Sequence, residues 1–151
     1  MPFPAASDEA ALWQMLIFDD SGAFVTCDWD THAAAFLQDS FLGISARKSP
    51  SPQAWAPDVP TLDVYKANWL GDAKAAAARA DAETLRRAHF AASRLAKITV
   101  TGIPALCVKR FDGSVTYRDG ITEPPEWETA DVCRKAKGRW WIAGLVGFLP
   151  K

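Results

Sequence analysis

Histidine is scarce in this chain, two among 151 residues, and cysteine amounts to three. Cys27, Cys107 and Cys133 are odd in number, far apart and without a CxxC pair. That argues against a disulfide framework or a cysteine zinc site and fits inert thiols in a reducing compartment. Net charge is nearly absent as well: 17 Lys and Arg against 18 Asp and Glu leave −1, and the charges are interspersed. Without a basic run to follow phosphates, neither nucleic acid nor an anionic membrane is expected as a partner. No apolar run reaches membrane-spanning length, and the opening "MPFPAASDEAALW" has neither a positive flank nor a continuous apolar stretch, so no signal peptide is expected and the chain reads as cytoplasmic. HExxH, a glycine-rich phosphate loop and a Ser-His-Asp spacing are all missing, which leaves metal, nucleotide and hydrolase chemistry without support. No cofactor and no metal are expected.

What is present is hydrophobic content, 49% of the residues, enough for one domain, 1–151, with a real core. Ser7 is placed to cap a first helix with Asp8 and Glu9 in its first turn, where the helix dipole favours anions. Trp13, Leu16, Ile17 and Phe24 then recur at helical spacing. "CDWDTHAAAFLQD" reads as a turn and a second helix capped by Asp30 or Thr31, with Ala34, Leu37 and Phe36 or Phe41 inward. Four prolines make "SARKSPSPQAWAPDVP" a loop. A third helix starts after Thr61 with Leu62, Tyr65 and Trp69 on one side and ends or bends at Gly71; a fourth restarts with Asp72 as its cap. After Lys97 the pattern becomes β-branched and aromatic runs divided by turn signals such as Asp112-Gly113. Helices followed by consecutive strands predict an α+β fold, with one face of a curved antiparallel sheet packed on the helices.

The segments "DWDTHAAAFLQDSFLGI", "WAPDVPTLDVYKANWL", "ITVTGIPALCVKRF" and "ETADVCRKAKGRWWIAGLVGF", in that order after a first helix, resemble the nuclear transport factor 2-like superfamily, in particular its SnoaL-like and ketosteroid-isomerase-like branches. The resemblance spans nearly the whole chain. It implies a cone of N-terminal helices packed on a strongly curved antiparallel sheet, a pocket inside the cone, and frequent dimerisation through the outer sheet surface. It implies no single chemistry, because one fold hosts many functions.

The last strand bears on that surface. Simple alternation puts Trp141, Ala143, Leu145 and Gly147 on one side and Trp140, Ile142, Gly144, Val146 and Phe148 on the other. If one set lines the cone, the other is an apolar strip that a second subunit covers, or else the loop carrying Trp55. A homodimer with Trp140, Ile142, Val146 and Phe148 at its centre is the expectation.

For chemistry the candidates are carboxyls. A helix continuing through Asp20 would aim it into the apolar interior, whereas a helix ending at "DDSG" would leave it solvated. Asp131 starts a strand and by the resemblance matches the protonated oxyanion-hole aspartate of the isomerase, with Asp20 falling where that enzyme has a tyrosine donor. An ion pair to Arg134, Arg139 or a helix residue is the plainer role for Asp131. The general-base positions of the two branches fall near Ile44 and Leu145, neither of which moves a proton. His32 and His89, lone histidines on helices, read as surface or capping residues. Trp13, Phe24, Tyr65, Trp69, Trp127 and Trp141 are the candidate pocket wall for a small apolar or aromatic ligand. Two functions stay open: small-molecule binding, with cofactor-independent isomerase, cyclase or dehydratase chemistry through Asp20 and Asp131, or a non-catalytic dimerising domain.

Overall fold

The computed structural model describes residues 2–124 and 128–150. The Ser7 hydroxyl accepts the Ala10 amide at 3.0 Å and starts α1 (Asp8–Trp13). The helix does not stop at Asp19-Asp20. It widens into a π-helical segment (Gln14–Asp19) and continues as α2 (Asp20–Thr26), ending at Cys27 in the left-handed conformation. Asp28, two residues ahead of the expected cap, accepts the Thr31 amide and starts α3 (Trp29–Ala33). Thr61 caps α4 (Leu62–Arg79), which runs straight through Gly71. A single helical glycine costs only about 1 kcal/mol, and the alanines that follow are the best helix formers. Asp81, not Asp72, therefore caps α5 (Ala82–Ala92), accepting the Thr84 amide at 2.9 Å.

The main sheet has six strands in the order β2-β1-β8-β7-β4-β3. They are β1 (Leu42–Ser45), β2 (Ala56–Val59), β3 (Ser93–Val100), β4 (Pro104–Phe111), β7 (Thr129–Ala136) and β8 (Arg139–Gly147). β5 (Val115–Thr116) and β6 (Thr122–Glu123) form a separate small hairpin. β3, β4, β7 and β8 pair antiparallel, with the β5–β6 hairpin between β4 and β7 in the chain, whereas β1 lies parallel to β8, so the whole sheet is mixed. β2 falls inside the proline-rich stretch expected to be loop; at the edge of the sheet its proline need not donate to a neighbour. Gly144 permits the β1–β8 approach: a Cβ there would stand 2.6 Å from the Leu42 carbonyl oxygen.

Bulges bend the sheet, between Leu95 and Lys97 and again opposite Val132 and Cys133. The second one reassigns the faces of β8. Val132 pairs with Gly144 but Cys133 pairs with Ile142, so Ala143 is the extra residue and the alternation slips by one across it. Trp140 and Ile142 consequently point into the cone with Leu145, and all three are buried in the core with Leu12, Tyr65, Trp69 and Cys133. The expectation that Trp140 and Ile142 centre an outer interface is corrected by this slip. Trp141 goes to the outer face, half-buried, its indole donating to the Ala136 carbonyl and its ring under Arg139.

The outer face is still apolar, with different residues. Leu106 pairs with Val132, and Val132 with Gly144; one row on, Val108, Ala130, Val146 and Ile44 are successive cross-strand partners. Leu106 and Val132 are 45% and 46% exposed. No helix among the described residues is long and apolar enough to cross a membrane.

Candidate functional site

The inner faces of β4 and β7 carry a polar group into the core. β4 alternates Ala105, Cys107, Lys109 and Phe111 inward, and β7 alternates Thr129, Asp131 and Cys133. Lys109 is opposite Thr129 and Cys107 opposite Asp131, which sets Lys109 diagonally across from Asp131. Both charged residues are only 4% exposed. From the helical layer α2 presents Asp20, whose Oδ2 accepts a hydrogen bond from Lys109 Nζ in an ion pair buried on the lysine side and partly exposed on the carboxylate side. Asp20 Oδ1 lies 3.1 Å from Nδ1 of His32, and Nε2 of the same ring lies 3.4 Å from the Tyr65 hydroxyl. The His32 ring stacks on Trp69 at 4.5 Å and 11° between planes.

These groups push one another's protonation apart. Burial raises the Asp20 carboxyl, but the Lys109 charge, His32 and the Lys109 hydrogen bond outweigh it and hold Asp20 below the ordinary value. Asp131 goes the other way. Burial raises it to about 6, against the opposing pull of Lys109 and the Thr129 hydroxyl, which donates at 3.0 Å, and with a small push from Asp20. Burial lowers His32 despite the nearby Asp20 charge. With Asp20 ionised and accepting only, the proton of neutral His32 sits on Nδ1, and its Nε2 accepts from the Tyr65 hydroxyl. Tyr65 itself is raised well above its usual range by burial and by the charges of Asp20 and Asp131.

A cavity of about 320 Å³ adjoins this cluster between α2, α4, α5 and the end of β8. Phe24, Tyr65, Trp69, Phe111, Tyr117 and Phe148 form its aromatic wall, and Asp20, Asp72 and His89 are its titratable acid and imidazole groups. His89 lies 4.8 Å from the Phe24 ring and is lowered by burial and then by Lys109. A smaller cavity of about 250 Å³ shares Tyr65, Asp72 and Phe148 with it. On the other side of Asp20 and His32 a more open groove of about 660 Å³ reaches the start of α1, where Asp8 accepts from Lys135 Nζ at 2.6 Å and Trp140 Nε1 at 3.0 Å.

Of the residues singled out in the sequence, Asp20, Phe24, Tyr65 and Trp69 come together on the cavity wall. Asp131 is buried beside them, paired with Thr129 rather than with an arginine, and is not part of the wall. Trp13 does not reach the cavity: it packs on Phe18 and Phe90 at the surface. The wider π turn between Trp13 and Asp20 breaks the 3.6-residue register that placed them on one stripe. Trp141 faces outward because of the β8 bulge, and Trp127 lies outside the described residues. Phe148, expected at an interface, lines the cavity. Lys109 was missed, although the alternation of β4 puts it on the inner face. His32 and His89, read as surface residues, face inward, and no local pattern distinguishes them from surface helix histidines. Among the described residues no group of three or more His, Cys, Asp or Glu could hold a metal ion.

No family model and no curated protein matches the sequence. Solved structures do match its three-dimensional form. A nuclear transport factor 2-like protein of unknown function from Shewanella oneidensis superposes with a TM-score of 0.60 at 16% identity, covering 93% of this chain and 98% of that one. The chain has the nuclear transport factor 2-like fold. A second protein of this fold from Silicibacter pomeroyi gives 0.54 at 13% identity over 96% and 98% of the two chains, and one from Pseudomonas putida gives 0.56 at 15% over 95% and 89%. Both are likewise of unknown function, so the likeness extends to the α+β cone and its curved mixed sheet and not to a reaction.

Proposed function

We propose that the chain is a small-molecule-binding protein of the SnoaL-like type whose site is the aromatic cavity inside the cone. The observation that carries this reading is an aromatic-walled cavity of about 320 Å³, open at its rim, with the Asp20 carboxylate on its wall. A cavity of that size with few polar groups is the usual form of a ligand site. Its walls suit a flat or aliphatic molecule of modest size. The opposed protonation of Asp20 and Asp131, with the Lys109 charge acting on both, supports acid–base chemistry of the isomerase, cyclase or dehydratase kind without a cofactor. In that chemistry Asp20 is the group at the ligand, and Asp131 acts through Lys109. The apolar rows across β4, β7, β8 and β1 favour a homodimer through the outer sheet face, and the free thiols fit a cytoplasmic setting.

A second reading, a dimerising domain without ligand, is favoured by the same outer face. Titrating aromatic polyketide-like, steroid-like and lipid-derived compounds separates the two. Binding is expected to quench tryptophan fluorescence through Trp69 and raise the melting temperature, and Ala76→Trp, which fills the cavity, is expected to abolish both. If no compound shifts either signal, the dimerising reading stands.

A further inference from the structure

The polar groups on the cavity wall are predominantly acceptors. Asp20 is ionised and only accepts. In the His32 tautomer it enforces, Nε2 accepts a hydrogen bond from the Tyr65 hydroxyl 3.4 Å away, so what Tyr65 offers a ligand is its lone pairs. Asp72, one helical step beyond Trp69 on α4, borders both the main cavity and its smaller neighbour, and its carboxylate has no hydrogen bond or ion pair among the described residues. His89 and Ser21 can serve either way.

Fixed charge has the same bias. Asp20 and Lys109 cancel as a pair. Arg79 is the cation at the rim, but its guanidinium is spent on Glu123 at 2.9 and 3.2 Å and on Asp119 at 3.3 Å, and it lies 3.7 Å from the Tyr117 ring. Two carboxylates pair with this one guanidinium, so Arg79 brings no net positive charge to the rim and the Asp72 charge is left uncompensated. Beside it stand Phe24 and Trp69, rings whose negative faces attract cations; Tyr117 already carries Arg79 over its ring, and Phe111 has Lys109 Nζ at 5.3 Å.

We propose that the cavity takes an organic cation, an amine or quaternary ammonium group on an aliphatic or aromatic stem, with the charge held between Asp72 and the aromatic wall and the stem filling the apolar interior. The inference rests on the cavity being a ligand site and adds the class of ligand. An ammonium supplies donors to a wall in which acceptors predominate and the countercharge that Asp72 is missing, whereas a carboxylate meets the like charge of Asp72.

Three probes on one stem test it: 4-phenylbutylamine, 4-phenylbutan-1-ol and 4-phenylbutanoate, titrated calorimetrically at pH 7.5 into the wild type and Asp72→Asn. The amine is expected to bind at least tenfold tighter than the alcohol, and the carboxylate weakest. Asp72 is an exposed helix residue, and the Asn variant is expected to lose the amine's advantage while binding the alcohol unchanged. Equal binding of amine and alcohol to the wild type, or tightest binding of the carboxylate, overturns the inference and leaves the cavity reading intact. An amine preference that survives in Asp72→Asn also overturns it. Absence of binding by all three overturns it together with the cavity reading.

Discussion

Asp20 and Lys109, 89 positions apart in the chain, form an ion pair inside the cone that joins the helical layer to the sheet. Each charge is tolerated there because of the other. Removing one partner strands a buried or partly buried charge, which costs up to about 3–5 kcal/mol, whereas replacing both with apolar groups is often neutral. Lys109→Met is therefore expected to lose stability of that size in urea unfolding at pH 7, and the loss should shrink as the pH falls and Asp20 protonates. Asp20→Leu combined with Lys109→Met should recover most of it. A single variant as stable as the wild type would show that the pair contributes nothing.

Asp131 sets a pH dependence of opposite sign. Its folded value of about 6 lies above the ordinary 3.8, so the folded state holds a proton that the unfolded state releases. Below the unfolded value both states are protonated and nothing is lost. As pH rises from about 4 through 6, stability falls, by an amount on the order of 3 kcal/mol at 1.36 kcal/mol per unit. Asp131→Asn keeps an acceptor for Thr129 and is expected to flatten this slope and to be more stable than the wild type at pH 7. Carboxyl-carbon NMR should find one carboxyl titrating above about pH 5.5, as expected for a shift of more than a unit, and lose it in the variant.

His32 should appear in nitrogen-15 spectra at pH 7 as the neutral tautomer protonated on Nδ1. Tyr65→Phe should leave that tautomer in place, because it is Asp20 that enforces it, whereas Asp20→Asn should disturb it.

The outer sheet face gives an assembly test with residues that alternation alone would not have chosen. Val132→Asp puts a charge in the middle of the Leu106, Val132 and Leu42 patch, where both Leu106 and Val132 are about half exposed. Sedimentation at tens of micromolar is expected to show a wild-type dimer and a Val132→Asp monomer of unchanged circular dichroism. A wild-type monomer at that concentration would mean an association weaker than about 6–7 kcal/mol and would remove the dimer.

Gly144→Ala probes the parallel junction. The added methyl would meet the Leu42 carbonyl oxygen at 2.6 Å, a backbone atom that cannot step aside without moving β1. Overpacking of this kind costs about 1–3 kcal/mol, and hydrogen exchange should show the loss concentrated in β1 and β2.

The sequence by itself determined that helices come first and the main antiparallel strands after them, the cap at Ser7, the helix start at Thr61 and the α+β class, because those depend on local spacing and side-chain chemistry. It also carried Lys109 on the inward alternation of β4, had that alternation been followed. Tertiary structure alone decided the rest. Whether Asp20 ended a helix or entered the core depended on a π turn and on a lysine 89 positions away to compensate its charge. Which tryptophans face the cone depended on one extra residue in β8, whose effect appears only when the register with β7 is fixed. Periodicity reports a face only while the period holds, and at both places where the site is built the backbone breaks its period.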